Sequence, residues 1–220
     1  MRLSDWLVLP EILPLMLSGL KVTVTITFFS VFTGLLIGTI VGLARLSRNR
    51  LLYILTTIYV EVIRGTPLMV QLFMTYYALP EIGIHLPPMI AGWVTFSVNS
   101  GAYVSEVVRA GIQSIDKGQM EAARSLGMSW GQSMRYVVLP QAFRNIMPPL
   151  GNEFIMLLKD SSLMSVIAVP EVMRYAGLMV GRKGGYALPI YATSGLLYLM
   201  LTLPLSMVVR RAERRLAKGD

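Results

Sequence analysis

Cysteine is absent from this chain, and histidine occurs once, as His85. Disulfides and thiolate metal sites are thereby excluded, and one imidazole cannot form a zinc cluster. Charge is scarce as well. Only 15% of the 220 residues are Asp, Glu, Lys or Arg, where a soluble domain carries about 25%. No G-x-x-x-x-G-K-[ST] sequence occurs, so the chain has no phosphate-cradling loop of its own for ATP. What is plentiful is apolar: 54% of the residues are hydrophobic. That balance places the chain in the membrane class.

Three uncharged runs are long enough to cross a bilayer: residues 22–44 (23 residues), 86–105 (20 residues) and 186–209 (24 residues). A span needs about 20 apolar residues at about 1.5 Å each. Residues 51–79, which contain Glu61 and Arg64, and residues 145–169, which contain Glu153, Lys159 and Asp160, are expected as two more. The reading is an all-α membrane protein of one domain, 1–220. Its five transmembrane helices fall at about 22–44, 51–79, 86–108, 145–169 and 186–209, with a polar connection at about 116–140. Residues 6–20 are interrupted by Pro10, Glu11 and Pro14, and no small-residue cleavage site follows. They are expected to lie in the interface, with Trp6 at headgroup level.

The net charge of +8 would suit nucleic acid, but its placement argues against that. With five spans, residues 45–50, 109–144 and the tail put thirteen Lys and Arg on one side, against five (Arg2, Lys21, Arg174, Arg182, Lys183) on the other. The richer side is read as cytoplasmic, which places the N-terminus outside and the C-terminus inside. The basic excess then orients the chain and meets anionic lipid. No soluble basic face remains for nucleic acid.

The polar connection reads GQMEAARSLGMSWGQSMRYVVLP at residues 118–140. Asp116 with Gln119 has capping-pair spacing, so a helix is expected to begin near Lys117. Gly127 suits a left-handed stop. Ser129 with Gln132 starts a second helix at Trp130, and Pro140 is expected to end it. Two helices of about ten residues would be marginal alone in water and need a partner surface. Ala122 and Ala123 give a small-residue face, edged by Glu121 and Arg124.

The order of residues adds to this. E-A-A at Glu121, Ala122 and Ala123, three residues, Gly127, then Leu139-Pro140 resembles the EAA loop of ABC importer permeases; Val137 stands where that family usually has isoleucine. EVIRGTPLMVQ (61–71), NSGAYVSEVVRAGIQ (99–113) and GNEFIMLLKDSSLMSVIAVPE (151–171) resemble permeases for polar amino acids, of the histidine/glutamine/arginine uptake type. The resemblance runs over roughly residues 18–215. It implies five spans per subunit and a permease dimer, of two identical or two related chains. It implies two ATP-binding subunits beneath, which hold the ATP and Mg, and a substrate-binding protein outside that delivers the amino acid. No cofactor or metal is expected in this chain, which is read as a transport subunit and not an enzyme of the bacterial inner membrane. Glu121, Ala122, Ala123 and Gly127 would then couple to the ATPase, whose closure rocks the spans.

Charges inside spans mark the pathway. An ionised group at mid-membrane costs about 3 kcal/mol or more, so such residues usually line polar cavities. Glu61 and Arg64, three apart, share a helix face and are expected to pair. Gly65-Thr66-Pro67 should bend that span and free carbonyls for a substrate ammonium. Glu61, Arg64, Thr66 and Asp160 are the gate or pathway candidates. Ser97, Asn99, Glu153 and Lys159 are the substrate candidates, Glu153 for an ammonium or basic group and Lys159 for a carboxylate. Glu153 and Lys159 are six apart and point different ways on one helix, so both reach one pocket only if the helix breaks or the pocket wraps it. Alternatively Lys159 pairs structurally at a dimer seam. Gly34, Gly38 and Gly42 are read as close helix packing, and His85 as a surface residue. A secondary transporter shares the composition, but five spans allow no inverted repeat within the chain. A membrane hydrolase would need a base, and Ser161 and Ser162 beside Lys159 have poor geometry for one.

Overall fold

A computed structural model describes Trp6 and residues 9–184 and 186–216. The described residues are helical, and we number the helices in chain order. Helix α1 is Leu9–Ala44, α2 Arg50–Arg64, α3 Leu68–Ile82, α4 Pro88–Gln113, α5 Lys117–Ser125, α6 Trp130–Ile167, α7 Val172–Lys183 and α8 Ala187–Leu216. Helix α3 contains a π-turn at Met74–Ala78, and α6 one at Met134–Val138.

Helix α1 corrects the expected N-terminal arrangement. Residues 9–20 do not form a separate interfacial segment but continue into the first span as one 36-residue helix. Pro14 lies inside this helix, where its missing N–H leaves the Pro10 carbonyl without its donor four residues on, and Ile12 and Met16 are fully buried against Val172 and Ala176 of α7. Arg2 and Lys218 lie outside the described residues.

Helix α4 is the centre of the bundle. It packs on α1 through small residues. A Cβ added at Gly34 would lie 2.7 Å from Ser100, and one at Gly38 would lie 2.5 Å from Val104. One at Gly101 would lie 2.7 Å from Ile37. Lipid is as apolar as leucine, so helices here gain little from hydrophobic burial and need such close backbone approach. The rising register, 34 to 100 and 38 to 104, makes α1 and α4 parallel. Helix α6 runs antiparallel to α4, since Gly111 meets Ile146 and Gly92 meets Met164. Gly151 of α6 meets Val209 of α8. The ends bearing Arg45, Arg109, the α5 hairpin and Arg210 therefore lie together.

Helices α1 and α8 are each long and apolar enough to cross a membrane. Two bent pairs also qualify when joined: Arg50–Arg64 with Leu68–Ile82, bent by 102°, and Trp130–Ile167 with Val172–Lys183, bent by 46°. Helix α4, expected as a span, is 26 residues long but more polar. Its Ser97, Asn99, Ser100 and Ser105 are buried against neighbouring helices. A central helix need not be apolar all round, because lipid does not solvate it.

Candidate functional site

The break in the second apolar segment builds the first site. Pro67 has no N–H, so the Ile63 carbonyl loses the donor that would continue α2. The chain turns through Gly65, Thr66 and Pro67 and restarts as α3 with Pro67 extended at ψ 136°. The expected bend is present, but the freed carbonyls are already engaged. Thr66 Oγ1 donates to Val62 O at 2.9 Å. Gln71 Nε2 donates to Ile63 O at 2.7 Å and to Thr66 Oγ1 at 2.8 Å. Gln71 Oε1 accepts from Asn99 Nδ2 on α4 at 2.9 Å. The sequence pattern did not single out Gln71. Its signal was a lone amide in an apolar run, four residues after Pro67.

Beside this corner lies a cavity of about 330 Å³, at the small end of ligand pockets, which span about 300–1,000 Å³. Arg64, Thr66, Asn99, Tyr103, Glu153 and Asp160 contribute to its wall. Glu153 and Asp160 are seven apart, two helical turns, and so share a face of α6. The structure thus brings together Asn99 and Glu153 from the substrate candidates, and Arg64, Thr66 and Asp160 from the pathway candidates. The others lie elsewhere. Glu61 is exposed and forms no ion pair with Arg64, whose guanidinium instead stacks 5.3 Å from the Tyr103 ring. Ser97 is buried off the cavity wall, with its hydroxyl unpartnered. Lys159 points to a different side of α6, into a separate space of about 410 Å³ with Ser162, Tyr191 and Tyr198. A straight helix at 100° per residue separates positions six apart, and α6 does not break between 153 and 159.

A carboxylate network closes the end of α1 and α4. Glu106 accepts from Arg45 at 2.5 Å and pairs with Arg109 one turn on. Arg45 is only 9% exposed. Two of the thirteen cations that orient the chain are thus ion-paired to Glu106.

The second site is the polar hairpin at the same end. Asp116 caps α5 by accepting from Gly118 N at 2.7 Å. Gln119 does not complete the expected capping pair; its Oε1 accepts from Gln141 Nε2 at 3.3 Å, tying α5 to α6. Gly127 has φ +83°. Its N–H donates to Arg124 O at 3.0 Å and that of Met128 to Ala123 O at 3.3 Å, a Schellman ending. Ser129 and Gln132 form the reciprocal box at 2.8 and 3.3 Å.

Pro140 does not end the second helix. Leu139 N–H reaches back five residues to Met134 O, and the widened turn accommodates the proline ring. The helix then runs unbroken into the segment that carries Glu153. Ala123 is also not on the outer face. It is 4% exposed and turned inward, while Met120 and Met134 pack against Val108 and Val138. Glu121, Ala122, Arg124 and Gly127 remain outside. They are joined by two residues that the sequence pattern did not single out, Leu126 at 85% and Trp130 at 58% exposure. Their signal was apolar residues flanking the glycine of an otherwise polar loop.

Apolar helices that bring Arg64, Glu153 and Asp160 to one cavity beside a broken helix fit a solute-transporting membrane bundle. Comparison with known proteins makes the class specific. Residues 34–218 match the family described as binding-protein-dependent transport system inner membrane component. The chain is 40% identical over 215 residues to the glutamine transport system permease protein GlnP of Escherichia coli, covering 96% of this chain and 97% of that one. It is 40% identical to the arginine transport system permease protein ArtQ of Bacillus subtilis, over the whole of both chains. A crystal structure of an amino acid ABC transporter with histidines superposes with TM-score 0.92 at 42% identity, over 98% of this chain and 100% of that chain. A chain of the inward-facing MetNI methionine ABC transporter, at 24% identity and TM-score 0.76, shares the fold. The chain belongs to the family of binding-protein-dependent transport system inner membrane components, as a permease subunit of the amino acid ABC transporter type.

Proposed function

We propose that this chain forms the translocation pathway of an ATP-driven amino acid uptake system in the bacterial cytoplasmic membrane. It crosses five times: α1, the bent pair α2–α3, α4, α6 and α8. The N-terminus is outside and the C-terminus inside. The observation that carries the reading is the cavity where Arg64 stands among Glu153, Asp160 and Asn99. An amino acid is a zwitterion. Arg64 suits its carboxylate, and two acids suit an ammonium together with a second cationic or N–H-rich group. We therefore place a basic or amide amino acid there, consistent with relatives named for arginine and glutamine transport.

A separate ATPase pair docks on the hairpin through Glu121, Ala122, Leu126, Gly127 and Trp130. The short α5 is tied to α6, and α6 continues through Pro140 to Glu153, so force at the hairpin reaches the cavity along one helix. ATP and Mg act in that partner, a second permease subunit completes the membrane portion, and an external binding protein delivers the substrate. Lys159 serves another surface. The secondary-transporter alternative finds no support among the relatives.

The test is purification of the full complex and a scan of the twenty amino acids for ATPase stimulation. A Glu153→Gln variant should need a much higher concentration of the stimulating amino acid. Wild-type behaviour of that variant removes the cavity from the pathway. Uphill uptake by the isolated chain without an ATPase overturns the motor.

A further inference from the structure

We propose that Gln71 is a positioning residue that fixes which way the Asn99 amide faces, making that part of the cavity wall an acceptor of N–H groups. The inference rests on the cavity being the amino acid site.

The argument starts at the backbone. Carbonyls can only accept, so Ile63 O at 2.7 Å and Thr66 O at 3.1 Å require the NH₂ of Gln71 and determine its amide orientation. Thr66 Oγ1, which donates to Val62 O, accepts from the same NH₂. Gln71 Oε1 must then face α4, where it takes Asn99 Nδ2. Asn99 is 6% exposed and lines the cavity, whereas Gln71 does not. Gln71 takes one Nδ2 hydrogen and so fixes the direction of the amide, leaving Asn99 Oδ1 as an acceptor with no protein donor on it among the described residues. The hydrogen bonds thus run one way, from Asn99 through Gln71 to the carbonyls of the helix break. The acceptor excess created by Pro67 reappears at the cavity as Asn99 Oδ1. A ligand ammonium, guanidinium or amide NH₂ meets it favourably, and a carbonyl or carboxylate oxygen does not.

The experiment uses the complete importer, with its ATPase and binding protein, in proteoliposomes. The probe is whichever of the twenty protein L-amino acids best stimulates the wild type. Gln71→Met removes the whole relay, and Asn99→Ala removes its end. In complexes that assemble normally, Gln71→Met should raise KM about ten-fold with kcat within a few-fold of wild type, the loss of one or two net hydrogen bonds. Asn99→Ala should raise KM similarly, and the double variant should be little worse than either alone. Should Gln71→Met fail to assemble, Gln71→Lys replaces it: its ammonium can still donate to Ile63 O but cannot accept from Asn99, and a raised KM is again expected. Unchanged KM in assembled Gln71 variants, or additive effects in the double variant, overturns the positioning role. Glu153→Gln separates the two readings. If it raises KM while the Gln71 variants do not, only the positioning role fails. If neither changes KM, the cavity is not the amino acid site and both readings fail together.

Discussion

Two stretches of this chain have the same pattern, M-x-Y-x-x-L-P, at residues 74–80 and 134–140. In both, the five residues before the leucine form a π-turn, and the leucine N–H reaches back five positions, to Met74 O or Met134 O. Yet the outcomes differ. The first helix tightens through Leu79–Ile82 and stops at Gly83, with φ +87°. The second continues through Asp160. A proline does not by itself end a helix, because a π-turn before it removes both the missing bond and the clash. The residues just after the proline decide the outcome. Glu81-Ile82-Gly83 offers a left-handed stop, while Gln141-Ala142-Phe143-Arg144 propagates. Gly65-Thr66-Pro67 has no such turn, and there the chain bends by 102°.

If the second stretch transmits force and the first merely ends a helix, damage at the hairpin tip should have the largest effect. A Cβ at Gly127 meets no atom within 4 Å, so the folded-state cost of Gly127→Asp is mainly that of the backbone at φ +83°, about 1–2 kcal/mol. The chain should insert and assemble, but uptake and substrate-stimulated ATP hydrolysis should be lost. Normal transport by that variant would falsify docking at the hairpin. Further along the same helix, Glu153→Gln removes a charged acceptor worth about 1.5–3 kcal/mol. The apparent KM should rise roughly ten- to a hundred-fold, read from uptake kinetics.

The prolines themselves give the sharper contrast. Pro67→Ala supplies an N–H that competes with Gln71 for Ile63 O, and should lower uptake several-fold in a complex that still assembles. Gly83→Ala should cost about 1–2 kcal/mol through its left-handed backbone and lower the unfolding midpoint without altering KM. Pro140→Ala should do least, within about 0.5 kcal/mol, because the π-turn already accommodates residue 140. A large loss of transport in Pro140→Ala, with Pro67→Ala unaffected, would invert the comparison.

Apolar runs, caps and glycines act through neighbours a few residues away, so they were legible without coordinates. Helix starts at Lys117 and Trp130, the left-handed Gly127 and the bend at Pro67 all arise from local chemistry. So does the packing role of Gly34 and Gly38, since small residues every fourth position leave one stripe of a helix bare. The hairpin was legible as two capped helices around a glycine corner, but Ala123, expected on its small-residue face, turns inward, because which side of a nine-residue helix faces in depends on what it meets.

Local sequence alone determined that the chain is helical and apolar, where its second segment bends, and which few charged residues stand in otherwise apolar surroundings. Only the tertiary structure decided how those residues group. It joined Arg64 of α2, Asn99 of α4 and Glu153 with Asp160 of α6 around one cavity, sent Lys159 to another, and used Arg45 to hold Glu106. The reason is geometric. A helix fixes the direction of a side chain relative to its own axis every 3.6 residues. Which neighbour lies in that direction is set by the register of two packed helices, here by glycines on α1 and α4 that let backbones touch.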